Sequence, residues 1–241
     1  MNSNLAISFK DLEKSFNDKK ILKTININLL SKNFTAIMGP SGSGKTTLLN
    51  VASGLEEPTR GSVWIENTNM SLLKEPELTK FRRKNISYIF QDYNLIPYLN
   101  VWDNITIVNK LSKQKIDEQQ VFKIIEKVGL KDFEKINVEK LSGGQKQRVA
   151  VARALASHSK IIFADEPTGA LDIKTRNEVI ELLKTNAKEF GKTLFVVTHD
   201  PFVASQADEV IFLVDGQVKK VVERPRVEEV MRNILELEKN V

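Results

Sequence analysis

The segment Gly39-Pro40-Ser41-Gly42-Ser43-Gly44-Lys45-Thr46 limits what this chain can fold into more than any other stretch of it. It meets the spacing G-x-x-x-x-G-K-[ST] at every fixed position. An apolar run, Phe34–Met38, enters it, and a helix-like run opening at Thr47 (Leu48, Leu49, Val51, Ala52) leaves it and stops at Gly54. Glycines let the backbone N–H groups of such a loop turn inward, and the helix behind adds its positive N-terminal end. The product is a cradle for phosphate oxygens between a strand and a helix. In it Lys45 would reach the β- and γ-phosphates of a nucleotide, and the Thr46 hydroxyl would help hold Mg²⁺. Gly39, Ser41, Gly42, Ser43, Gly44, Lys45, Thr46 and Thr47 are therefore the predicted nucleotide contacts.

A second apolar run, Ile161–Ala164, delivers Asp165 and Glu166 at its end. Successive strand residues face opposite sides, which predicts separate roles. Asp165 would orient Mg²⁺, directly or through water, and Glu166 would polarise the water that attacks the γ-phosphate. On its own, Asp-Glu after a strand reads as a solvated turn. A phosphate loop in the same chain changes that reading.

Around these motifs the hydrophobic period alternates between two kinds. Leu5, Ile7 and Phe9, then Ile25, Ile27 and Leu29 after a turn at Asn17–Lys20, alternate as strands do. Further short strands are predicted at Trp64–Ile65, Ile86–Phe90, Leu194–Val197 and Val210–Val214. The last of these joins Gln217–Val222 through an Asp215-Gly216 hairpin turn. Helical stretches fall at Ile173–Phe190, Phe202–Ala207 and Val227–Leu237. From Leu95 to Leu141 strand signals thin out, and Glu118–Val128 places Val121, Ile124, Ile125 and Val128 at helical spacing. The expected fold is α/β, with a mostly parallel sheet, an antiparallel β subdomain near the N-terminus and a helical arm. Within a single domain, residues 1–91 and 158–222 would form the catalytic core, 92–157 the arm, and 223–241 a C-terminal helix.

Composition removes several classes. No apolar run approaches the roughly 18 residues that cross a bilayer, and Met1–Leu5 lacks the basic and apolar regions of a secretory signal. The absence of cysteine rules out disulfides and thiolate metal sites and fits a cytosolic protein. The net charge of +5 is spread without a block of five or six like charges, so nucleic acid is not an expected partner.

Leu141-Ser142-Gly143-Gly144-Gln145, ahead of the helix-like run Lys146–Ala156, sets this chain apart from other phosphate-loop proteins. With this pentapeptide the sequence resembles an ATP-binding cassette (ABC) ATPase, whose signature it is, over roughly Leu5 to Val222. Physically, Ser142 and the glycine N–H groups suit either an anion or a plain helix cap, and both can hold. The resemblance implies that Ser142, Gly143, Gly144 and Gln145 contact the γ-phosphate bound to a second copy, so that two chains close head to tail on ATP. It also implies that Gln91 touches Mg²⁺ and senses a membrane partner, that Asp172 crosses the dimer interface, and that His199 reaches the γ-phosphate and steadies Glu166. Phe16 stands where the family usually has a tyrosine stacked on adenine, and a phenyl face can serve there. Alone, it would read as core. The implied catalytic residues are Glu166, His199 and Lys45, and the implied metal contacts are Thr46, Gln91 and Asp165.

The stretch from Gln91 to Trp102 mixes aromatic and aliphatic residues at a strand-to-helix junction. Tyr93, Leu95, Ile96, Tyr98 and Trp102 either fill the arm or meet a helix of another protein, with Tyr93 and Tyr98 the expected contacts. This wording, with Ala164–Asp172, is similar to the ABC group of macrolide exporters, lipoprotein-release systems and bacitracin-type peptide-resistance transporters. That resemblance implies a separately encoded permease, attachment to the cytoplasmic face of the membrane, and an exported or extracted peptide, antibiotic or lipoprotein. A cassette driving cell division or cell-wall hydrolase control, with no solute moved, stays open beside it.

Overall fold

Two hydrophobic patterns build two sheets in the computed structural model, which describes residues 4–169 and 171–238. Ala170 of the Ala164–Asp172 stretch lies outside the described residues, as do residues 1–3 and residues 239–241 of the expected terminal segment. The alternating N-terminal stretch forms β1 (Leu5–Phe16) and β2 (Lys19–Leu30), paired antiparallel. Their turn is Asn17–Asp18, shorter than the expected Asn17–Lys20, and both residues have positive φ (44° and 63°). Such a turn matches the twist of the two strands it joins. β3 (Phe34–Met38) leaves for the second sheet, while β4 (Arg60–Ile65) and β5 (Thr68–Asn69) complete the first in the order β2-β1-β4-β5.

The second sheet uses the continuous apolar runs. β6 (Ile86–Ile89), β7 (Ile161–Asp165), β8 (Thr193–Val197) and β9 (Glu209–Val214) lie parallel with β3. β10 (Gln217–Glu223) returns antiparallel through Asp215–Gly216, giving the order β10-β9-β3-β8-β7-β6. Runs buried on both faces suit a sheet covered on both sides. Ala36, Ile162, Ala164, Val196 and Phe212 look into one core, and Ile37, Phe163, Phe195, Val197 and Ile211 into the other.

The second of these cores is closed by α1 (Lys45–Ser53) and by the antiparallel sheet. The first is closed by α3 (Val101–Leu111), α4 (Glu118–Lys127), α5 (Gly143–Ala156), α6 (Ile173–Glu189) and α8 (Val227–Glu238). α7 (Pro201–Ser205) is a short turn of helix against α8. The arm starts its helices with the expected chemistry. Asn100 caps α3 by accepting from the Asp103 N–H, and Asp117 caps α4 by accepting from the Gln120 N–H.

One helix, α2 (Glu77–Asn85), has no counterpart in the hydrophobic period. It fully buries only Leu78, with Phe81 packed partly on the same core, and polar contacts add to this hold. Arg82 donates to the Gly54 carbonyl at 2.6 Å and pairs with Glu75 at 2.7 Å. Among the described residues no helix is long and apolar enough to cross a membrane.

Candidate nucleotide site

Four neighbouring strands of the parallel sheet each carry a candidate residue at or just past the carboxyl end, where open α/β sheets place their ligands. β3 runs into the Gly39–Thr46 loop, β8 leads to His199, β7 ends at Asp165, and β6 leads to Gln91. Because the strand order is β3-β8-β7-β6, these four groups line up along one edge.

The loop after β3 needs glycine for two separate reasons. Gly39 (φ 156°) passes so close to β9 that a Cβ would lie 1.9 Å from the Leu213 carbonyl oxygen. Gly44 (φ 98°) caps α1 in the left-handed region and offers no side chain to the helix, so the first N–H groups stay free for an anion. Lys45 folds over the loop and donates to the carbonyls of Gly39 and Pro40 at 2.9 and 2.8 Å. Burial lowers its pKa, against the pull of Glu166 and Asp165. The hydroxyl of Ser43 is buried with no hydrogen-bond partner.

Thr46 Oγ1 lies 3.4 Å from Asp165 Oδ1. Burial, and then the neighbouring charge of Glu166, raise the Asp165 pKa, so this carboxylate gains from a cation beside it. A hydroxyl and one carboxylate are hard oxygen donors, and no cluster of three or more His, Cys, Asp or Glu able to hold a metal occurs among the described residues. That donor set fits Mg²⁺, which keeps waters and substrate phosphates as most of its ligands.

The expectation that strand alternation separates Asp165 from Glu166 is corrected by the backbone. β7 ends at Asp165, and Glu166 has φ 45°, outside any strand conformation. A left-handed turn, not the pleat, sends the two carboxylates apart. Glu166 turns to β8, where its Oε2 lies 2.9 Å from His199 Nδ1 and 3.4 Å from the His199 backbone N. Glu166 is mostly covered (side chain 16% exposed) and His199 is open (70%), so the pair faces outward from a half-buried base. A Cβ at Gly169 would lie 3.6 Å from Glu166 Cβ and 3.7 Å from Gln91 Nε2, which places Gln91 at the same edge.

The remaining candidates gather elsewhere. Ser142 caps α5 by accepting from the Gln145 N–H (3.3 Å), and Gln145 Oε1 accepts from the Ser142 N–H (2.9 Å), a reciprocal capping box. Asp172 caps α6, accepting from the N–H groups of Lys174 and Thr175 and from the Thr175 hydroxyl. Hydrogen bonds from the Thr175 hydroxyl and N–H lower its pKa. A Cβ at Gly144 would meet the Thr175 methyl at 2.7 Å, so Ser142–Gln145 and Asp172 share one neighbourhood. Each cap bonds within its own helix start and not to the Gly39–Thr46 loop. The site residues thus form two groups on one chain.

Phe16 stands at the tip of the β1–β2 hairpin, 43% exposed. Of the aromatic stretch after Gln91, Tyr98 is exposed (87%) and Ile96 partly so, whereas Tyr93, Leu95 and Trp102 pack on the core. Trp102 sits against Phe122 with ring centroids 4.8 Å apart. The core-filling reading therefore holds for Leu95 and Trp102, and also for Tyr93, which was expected as a contact, while Tyr98 and Ile96 are exposed.

Two features escaped the sequence reading. The Gly216 N–H donates to the Ser43 carbonyl at 3.1 Å, so the β9–β10 turn braces the phosphate loop from behind. Arg153 of α5 donates to the carbonyls of Tyr93 and Asn94 at 2.8 and 2.6 Å and holds both in left-handed φ. The Asp-Gly pair signalled its turn, but nothing local signalled what the turn supports.

A family model described as ABC transporter matches residues 22–169. An uncharacterised ABC transporter ATP-binding protein of Methanocaldococcus jannaschii, MJ0796, is 44% identical over 83% of this chain and 87% of its own. Its dimeric structure in a post-hydrolysis state bound to ADP and Pi has a TM-score of 0.81 at 39% identity, covering 91% of this chain and 99% of that one. The bacitracin export ATP-binding protein BceA of Halalkalibacterium halodurans is 41% identical over 87% of this chain and 83% of its own. The lipoprotein-releasing system ATP-binding protein LolD of Bacteroides thetaiotaomicron is 39% identical over 89% and 99%.

Proposed function

The chain belongs to the ABC transporter family as an ATP-binding, ATP-hydrolysing subunit, and on that premise we propose how its residues divide the work. The observation that carries the proposal is that the caps at Ser142–Gln145 and at Asp172 are closed on their own helix starts and make no hydrogen bond to the Gly39–Thr46 loop. Gly39–Thr47, Gln91, Asp165, Glu166 and His199 form the first group, and Ser142–Gln145 with Asp172 form the second. Neither is a whole site. Two copies arranged head to tail bring the first group of each against the second group of the other.

In this arrangement the loop N–H groups and Lys45 bind the β- and γ-phosphates. Thr46, Gln91 and Asp165 would hold Mg²⁺, which when bound neutralises charge between those phosphates. Glu166 accepts the proton of the attacking water, and His199, bonded to it at 2.9 Å, fixes the direction of the carboxylate. The N-terminus of α5 presents N–H groups to the γ-phosphate of the other copy, with its own cap already satisfied. Phe16 stacks on adenine, and residues 92–157 act as an arm that carries the second group.

The exposed Ile96–Tyr98 tip is the contact for a separately encoded permease, which holds the subunit at the cytoplasmic face of the membrane. Likeness to BceA and LolD favours export or extraction of a peptide, antibiotic or lipoprotein. Glu166→Gln tests the chemistry. It should retain ATP binding and lower steady-state hydrolysis by roughly 10²–10⁴-fold. Turnover at the normal rate would remove Glu166 as the base. Identification of the polypeptides that co-purify with the subunit from membranes tests the partner, and recovery without any integral membrane protein would count against it.

A further inference from the structure

The ring of Phe16 is backed by a cation. Lys14 Nζ lies 4.6 Å from its centroid, although Lys14 is only 9% exposed. A lysine so covered needs partners, and this one has two: Glu56 Oε2 at 3.0 Å and the Glu57 carbonyl at 2.8 Å. Both belong to the loop that leaves α1, the helix behind the phosphate cradle. That loop hangs on α1 itself, since the N–H groups of Leu55 and Glu56 donate to the Asn50 carbonyl at 2.9 and 3.2 Å.

The residues beside Lys14 join the same loop. The Thr59 N–H donates to the Glu13 carbonyl at 2.8 Å, and the Ser15 N–H donates to the Thr59 hydroxyl at 2.9 Å. On its other side Lys14 pairs with Leu22, whose Cδ2 would lie 3.0 Å from a Cβ at Gly44 in the phosphate loop. The strand end that carries Phe16 is thus fastened to both ends of α1.

We propose that Lys14 is a positioning residue for the nucleotide base: its ammonium, locked by Glu56 and Glu57, holds the Phe16 ring at a fixed distance from the phosphate cradle and polarises it for stacking. The proposal rests on the reading of Phe16 as the adenine platform. Phenylalanine has no hydroxyl with which to anchor itself, so its orientation must come from what touches its face. A cation over a partly exposed ring supplies that contact.

Equilibrium titrations of the full chain with ATP and with inorganic tripolyphosphate test it, because tripolyphosphate reads the cradle without a base. Lys14→Met should weaken ATP binding about two- to five-fold and leave tripolyphosphate binding as it was. Lys14→Arg should restore most of the loss. In a Phe16→Ala background, Lys14→Met should cost nothing further. An equal loss with and without Phe16, or a parallel loss of tripolyphosphate, would reduce Lys14 to a structural support and overturn the proposal. If Phe16→Ala alone leaves ATP affinity unchanged, the stacking reading fails and the proposal with it. Should Lys14→Met not fold, Glu56→Ala, at a more exposed position, removes one anchor and must show the same dependence on Phe16.

Discussion

Glu166 and His199 show how a single backbone angle sets the chemistry. With φ 45°, Glu166 leaves the line of β7 and meets His199 just past the end of β8, while Asp165 stays beside Thr46. A non-glycine residue held in this region is strained by about 1–3 kcal/mol, and the surrounding contacts must hold it there. Lys192 is a second residue with a measurable consequence. It is buried, donates to the carbonyls of Ser157 and Ser159 at 2.8 and 2.6 Å, and burial pushes its pKa down to about 8. Between pH 8 and the ordinary lysine range near 10.5 the unfolded chain binds more protons than the folded one, so stability contributed at this position rises with pH across that window. The stability of the wild type relative to Lys192→Met, from urea titrations at a series of pH values, should climb by up to about 3 kcal/mol there and be flat below it. A difference independent of pH would show that the ammonium is not desolvated.

At the scale of elements, turns and caps carry the site. Gly216 has φ 71°, and a Cβ there would lie 2.1 Å from the Ile21 carbonyl oxygen. Gly216→Ala should therefore cost about 2 kcal/mol or more in urea unfolding, and it should weaken ATP binding, because the Gly216 N–H braces Ser43. Normal ATP affinity in a folded Gly216→Ala protein would separate the turn from the loop. Ser142→Arg removes a cap and places a bulky cation at the start of α5. It should leave ATP binding to the single chain nearly intact and abolish hydrolysis; full turnover would exclude a role for this helix end in the reaction.

The same elements show what could be read from the sequence. β3, β7 and the loop at Gly39–Thr46 were legible because a parallel strand is a bare apolar run and a phosphate cradle has fixed spacing. α4 was legible from its period. α2 was not, since only Leu78 and Phe81 of it pack on the core, too few for a clear period, and Arg82 adds polar ties to Gly54 and Glu75. Nor was the turn at Glu166, because φ at one residue after a strand is set by tertiary contacts with β8. The brace from Gly216 to Ser43 joins residues far apart in the chain, and no local signal encodes such a pairing.

At the scale of the whole molecule, the proposed division of the site sets an expected oligomeric requirement. In the proposed division the phosphate loop with Asp165, Glu166 and His199 would bind the nucleotide, and the capped end of α5 with Asp172 would serve another chain. One chain alone should bind ATP and turn it over slowly. Sedimentation of the Glu166→Gln protein with and without ATP measures this requirement directly. The predicted result is a single-chain mass without nucleotide and a two-chain mass with ATP, lost again when Ser142→Arg is added. A single-chain mass with ATP bound would contradict the divided site.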